Sequence, residues 1–242
     1  MVWLVLAGGA VIGGILQTVC GFGAGVFMMM YLPYFFGMLG GPSVNSCILC
    51  VLTISLAWKF RRHFDLRITA VPIVGYLGAN TLAIRSVKHL DLDMLAMVFG
   101  IFLLALAGYN FFVAGKFHIR ANWKSGLICS AISGAFGGLF GIGGPLMSLY
   151  YLDATDTKEG YAANMQGLFA LSCINGMANR IACGIYTAEL ILPSLVGIVF
   201  VCVGSRLGLK LLDKLDAARL KKIVYLCVAA SGAVTVLGHL PF

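Results

Sequence analysis

Gly137-Gly138-Leu139-Phe140-Gly141-Ile142-Gly143-Gly144-Pro145 lies in the middle of a window, residues 125–152, that contains no Asp, Glu, Lys or Arg. As one continuous helix the window would extend roughly 42 Å at 1.5 Å per residue, against a hydrocarbon core of about 30 Å. Glycine and proline are the residues that break helices, so the excess length and the means of interrupting it coincide. The same combination opens the chain, where residues 1–36 are uncharged and Gly21, Gly23 and Gly25 mark the break. Gly21–Leu32 aligns with Gly141–Leu152 at a shift of 120 residues, with Gly21, Gly23, Tyr31 and Leu32 matched identically. A polar-tipped span start follows in each case, Ser43-Val44-Asn45-Ser46 and Ala163-Asn164-Met165-Gln166, and Pro72 and Pro193 recur further on. Matches in the same order predict a duplicated chain, with halves 1–115 and 116–242 joined through the basic segment 116–124.

The composition fits only a membrane protein. Hydrophobic residues make up 60% of the chain and charged residues 11%, where a soluble domain has about a quarter charged; mean hydropathy is +0.97. Further windows without any Asp, Glu, Lys or Arg cover 68–84, 94–115, 160–179, 190–205 and 223–242. Nothing alternates in segments of about ten residues, as a β-barrel would require. The class is therefore all-α and integral to the membrane. Residues 1–17 lack a basic leader and run straight into more apolar sequence, so they read as a first membrane segment rather than a cleaved signal. The net charge of +8 comes from basic residues grouped in short loops, not from a basic stripe with aromatics, which excludes nucleic-acid binding.

Charge placement separates two readings of the long windows. If each is one crossing, the basic loops divide almost evenly between the two sides. If each is a re-entrant hairpin, Lys59, Arg61, Arg62, Arg67, Lys116, Arg120, Lys124, Lys158, Arg206, Lys210, Lys214, Arg219, Lys221 and Lys222 share one side. Only Arg85, Lys88 and Arg180 then fall on the other. Cytoplasmic loops carry the excess of Lys and Arg, so the hairpin reading is preferred, with both chain ends outside. Each half then consists of a broken helical hairpin and three spans: 43–58, 66–84 and 92–114, then 161–179, 188–207 and 219–240. An odd number of spans turns the second half upside down, the inverted-repeat plan of many secondary transporters.

Irregular backbone at lipid depth is tolerated only where protein or a cavity uses it. The N–H groups beginning a half-helix carry about half a positive charge and can bind an anion without a basic side chain. Gly21, Phe22 and Gly23, with Gly141, Ile142, Gly143 and Gly144, are therefore the first candidates for a substrate site. Asn45, Ser46, Asn164 and Gln166 are expected to face these breaks from the following spans. Two alternatives stay open: small residues also permit close helix packing, and polar side chains also bond between helices. Asn80, Asn110 and Asn175 read as such interhelical ties; Arg180, with Arg61 as its counterpart, reads as a helix-end marker, the alternative being a charge that draws anions to a vestibule. No acidic residue falls deep in a span. His63, His89, His118 and His239 have no metal-ligand spacing, and Cys47 and Cys50 lie without a His or acidic ligand beside them. There is no GxxxxGK[ST] phosphate loop and no nucleophile with an intramembrane base. Neither a cofactor nor an enzymatic activity is expected.

The paired stretches Gly21-Phe22-Gly23-Ala24-Gly25 and Gly137 to Pro145, opening two membrane halves, resemble the TauE/SafE sulfite-exporter family, also called the toluene-sulfonate uptake permease family. The resemblance spans essentially the whole chain; the second motif is the more specific. It implies transport of sulfite, sulfonates or related small organic anions across a bacterial cytoplasmic membrane. The expected function is thus a secondary transporter of a small sulfur-containing anion working by alternating access, with the paired breaks as its site. An anion channel and a transporter of a small carboxylate are the rival readings. The expected partners are the anionic substrate and the lipid bilayer, with a homodimer left open.

Overall fold

The computed structural model describes residues 2–112 and 120–211, together with 232, 233, 235 and 236. Every regular element among them is helical. The first long window is interrupted where its glycines fall: α1 runs over Val2–Cys20, and α2 over Ala24–Met29. The second behaves alike, with α6 at Trp123–Phe140 and α7 at Gly144–Ala154. Between them come α3 (Leu32–Phe60), α4 (Leu66–Ser86) and α5 (Leu92–Phe112); after them come α8 (Lys158–Ala182) and α9 (Ile191–Leu211). The expected spans at 43–58, 66–84, 161–179 and 188–207 correspond to α3, α4, α8 and α9. The ends of the spans 92–114 and 219–240 lie outside the described residues, as does the side chain of Asn110.

Two boundaries differ from expectation. The returning arm of the first hairpin, expected to reach residue 36, ends as α2 at Met29. Residues 32–36 belong instead to α3, which bends at Gly37 (φ 71°, ψ 174°), a conformation that glycine adopts without a Cβ penalty. The polar ends of three helices are capped from the chain itself. Asp65 accepts from the Arg67 N–H at the start of α4, Asn122 forms a capping box with Ser125 on α6, and the Thr157 hydroxyl accepts from Gly160 on α8. Such caps satisfy the donors that a helix start leaves unpaired.

Packing is crosswise between the two parts of the chain. α1 lies along α9, α4 along α6, and α3 along α8. Gly14 and Gly134, again 120 residues apart, have the same task. A Cβ on Gly14 would collide with the Val201 carbonyl, and one on Gly134 with the Tyr76 carbonyl. Close approach through small residues is how helices gain packing where lipid supplies no hydrophobic drive between them. Four helical stretches, Val2–Cys20, Leu32–His63, Leu66–His89 and Ala188–Leu211, are long and apolar enough to cross a membrane. Leu4, Val74 and Leu82 are 70–80% exposed, which suits a lipid-facing surface and not a water-facing one. The chain is a multi-pass membrane protein.

Candidate functional site

The two breaks touch. A Cβ on Gly25 would stand 2.9 Å from the Gly141 carbonyl oxygen, and one on Gly144 would stand 2.9 Å from the Phe22 Cβ. Between them is a cavity of about 50 Å³. Phe22 and Gly23 line it from the first break; Gly141, Ile142, Gly143 and Gly144 line it from the second. Its polar wall consists of Gln17, Ser46, Thr53, Tyr76, Asn80 and Ser172, with the Cys173 thiol, and among the described residues no charged side chain lines it.

Each break is built on left-handed glycines. Gly21 (φ 79°) and Gly23 (φ 119°) turn the chain out of α1, and Gly141 (φ 68°) caps α6, donating its N–H to the Gly137 carbonyl at 3.0 Å. Glycine at this cap position carries no Cβ penalty. At the start of α7, Gly143 and Gly144 line the cavity, the N-cap Gly143 makes no side-chain cap bond, and Pro145 contributes no N–H. α2 is different: its first N–H, on Ala24, donates to Gln17 Oε1 at 3.3 Å.

Amide side chains hold the carbonyls of the breaks, and they do so reciprocally. Gln166 Nε2 on α8 donates to the Gly21 carbonyl at 2.7 Å, and Asn45 Nδ2 on α3 donates to the Gly141 carbonyl at 3.2 Å. Each tie crosses from one part of the chain to the other. Asn45 Nδ2 also reaches the Gly25 carbonyl at 3.4 Å, while its Oδ1 is buried without a hydrogen-bond partner. Of the residues expected here, Phe22, Gly23, Ser46 and Gly141 to Gly144 line the cavity; Gly21, Asn45 and Gln166 stand behind its wall. Asn164 lies away from both breaks. Its Oδ1 accepts from the Asp65 N–H (2.9 Å) and the Thr69 hydroxyl (2.7 Å), joining α8 to the start of α4. A residue two positions before Gln166 on a helix faces away from it, so both amides cannot serve one site.

Sequence reasoning missed four things. Tyr76 is buried in α4 and reaches the second break, where a Cβ on Gly143 would collide with its hydroxyl. An aromatic in an apolar helix gives no sequence signal of such a position. Ser172 and Cys173 likewise read as ordinary small residues. Asn80 is both an interhelical tie, accepting from Asn175 Nδ2 at 3.4 Å, and part of the cavity wall. Arg180 does lie in the last turn of α8, but its side chain turns inward and is 1% exposed. It donates to the Gly138 carbonyl at 2.6 Å and, at 3.4 Å, to the Ser43 hydroxyl. Its counterpart Arg61 is exposed and lies over the Trp58 ring at 4.3 Å.

Comparison with known proteins agrees with this architecture. The chain is 25% identical over 249 residues to the probable membrane transporter protein MJ0441 of Methanocaldococcus jannaschii, covering 93% of this chain and 91% of that protein. No solved structure matches it. The family described as sulfite exporter TauE/SafE matches residues 4–235. Three observations thus converge: helices long and apolar enough to span a bilayer, two glycine breaks meeting at a cavity, and a family match over nearly the whole length. The chain belongs to the TauE/SafE family of membrane transporters and is not an enzyme.

Proposed function

We propose that the protein is a secondary transporter of a small sulfur-containing oxyanion, sulfite being the simplest, and that the cavity between the two breaks is its substrate site. The observation that carries this reading is that both glycine breaks line one cavity, where α7 begins at Gly144 and where no carboxylate stands among the described lining residues. Backbone N–H groups at a helix start bind anions through their partial positive charge. At about 10–15 Å³ for each water, 50 Å³ accommodates about three to five water-sized groups. That size suits an inorganic oxyanion better than an organosulfonate with a long carbon chain.

In this reading the halves 1–115 and 116–242 are inverted repeats, each a broken hairpin followed by three spans. The crosswise helix pairs and the reciprocal ties from Asn45 and Gln166 support it, because a two-fold relation generates equivalent contacts in pairs. Alternating access then exposes the cavity to one side of a cytoplasmic membrane at a time. The test is sulfite flux into proteoliposomes. Uptake is expected to saturate and to accelerate when unlabelled sulfite is trapped inside. Flux that stays linear with concentration and ignores the trapped anion would instead indicate a channel. Competition by acetate and glycolate but not by sulfite would move the substrate to carboxylates.

A further inference from the structure

A broken helix presents both of its new ends to whatever lies at the break. The carboxyl end of the first segment carries about half a negative charge and the amino end of the second about half a positive one. At close range the two cancel, so a break by itself attracts neither ion strongly. The second break has a further element. Arg180 donates to the Gly138 carbonyl in the last turn of α6, the negative end of the broken helix. Its own backbone belongs to the last turn of α8, where its carbonyl accepts from the Ile185 N–H at 2.8 Å. The guanidinium is buried against the carboxyl end of α6, with the Gly138 carbonyl and the Ser43 hydroxyl as its bonded partners and its Nε unpartnered. A buried cation is expensive in a membrane protein and marks function unless a carboxylate accounts for it. Here the residues bonded to it are neutral. The cavity is close by: Gly137 adjoins Gly138, and Gly176 and Cys173 on α8 precede Arg180 by one and two turns, and all three line the cavity.

We propose that Arg180 is the positioning residue that makes the second break selective for anions. By neutralising the carboxyl end of α6, it leaves the positive amino end of α7 uncompensated toward the cavity. This rests on the transport reading above. Arg180 acts through α6 and not by lining the site, so the property that matters is its charge rather than its hydrogen bonds.

The experiment separates charge from hydrogen bonding and size, using purified protein, sulfite as the probe, calorimetric affinity and melting temperature. Arg180→Lys keeps the charge; Arg180→Gln keeps a donor for the Gly138 carbonyl and removes the charge. Arg180→Lys is expected to bind sulfite within about threefold of wild type, and Arg180→Gln to bind it roughly tenfold to thirtyfold more weakly, the scale of a favourable helix-end charge interaction. A second pair leaves Arg180 in place. Ser43→Asp sets a carboxylate beside the guanidinium and cancels it, while Ser43→Asn has the same size and no charge. Ser43→Asp is expected to lose affinity against Ser43→Asn by a similar factor. Equal affinities within each pair would overturn the proposal, as would losses that follow melting temperature and not charge. If wild-type protein binds no sulfite at all, the transport reading itself fails, an outcome distinct from wild-type binding that charge removal leaves intact.

Discussion

The first and second breaks begin from matching sequence and end in different chemistry. At Gly21-Phe22-Gly23, neutral amides hold both sides of the gap: Gln166 and Gln17 take the Gly21 carbonyl, and Gln17 Oε1 takes the first N–H of α2. At Gly141-Ile142-Gly143, the carbonyl side is held by Asn45 and, one turn back, by Arg180, while the N–H side faces the cavity without a side-chain cap. The first break is tied by side chains on both sides of its gap, and the second on its carbonyl side. Two similar stretches of sequence thus form similar breaks, and a few side chains from α1, α3 and α8 set how each is held.

The largest expected effect is topological and all or none. With native cysteines removed, Tyr34→Cys and Asp156→Cys place thiols at exposed positions following the two broken segments. A membrane-impermeant maleimide is expected to label the first from outside and the second only from inside. Labelling of both from one face would remove the inverted relation between the breaks.

Glycine substitutions come next. In Gly143→Ala the new methyl would collide with the Tyr76 hydroxyl and approach the Ser133 carbonyl at 2.7 Å. Overpacking of this kind costs about 1–3 kcal/mol or more, and a large drop in melting temperature is expected. In Gly23→Ala the nearest atom is 3.9 Å away, so only the left-handed backbone (φ 119°) resists; that costs about 1–2 kcal/mol. Gly23→Ala should fold, and sulfite titration of the folded protein then tells whether the first break touches substrate. Equal thermal losses in the two variants would show that packing around the breaks is more alike than their contacts indicate.

The smallest effect distinguishes the two amide ties. Gln166→Leu removes a 2.7 Å bond from a buried carbonyl, which costs about 1–3 kcal/mol. Asn45→Leu removes bonds of 3.2 and 3.4 Å, near the outer limit of hydrogen-bond geometry, and should cost less. Denaturation in detergent measures both, and the reverse order would contradict the tighter closure assigned to the first break.

Both breaks could be read from the sequence because glycine and proline act locally. A window too long for the bilayer, with its breakers in the middle, leaves few other solutions. The reciprocal ties were half legible: Asn45 and Gln166 were picked out as polar residues near the breaks, but so was Asn164, whose direction depends on helix phase relative to α4. Arg180 reads as a helix-end marker and does stand in the last turn of α8, but its burial is not legible in the sequence. One arginine beside a loop has the same sequence signature whether it points to water or inward. What turns it inward is the α6 carboxyl end, some forty residues away in the chain, and only the fold brings that end to it. The bend at Gly37 escaped notice because one glycine in an apolar stretch signals close packing as readily as a change of direction.

The paired glycine contacts at Gly14 and Gly134 also bear on mechanics. With backbone against backbone, α1 is clamped to α9 and α4 to α6, so neither pair has side-chain slack along which to slide. Each clamp joins a helix from one half of the sequence to a helix from the other. Pulling the two halves apart would have to open both clamps together. The stiff bodies of this protein thus combine helices from the earlier and later parts of the chain, and a hinge is expected between these mixed pairs rather than within them.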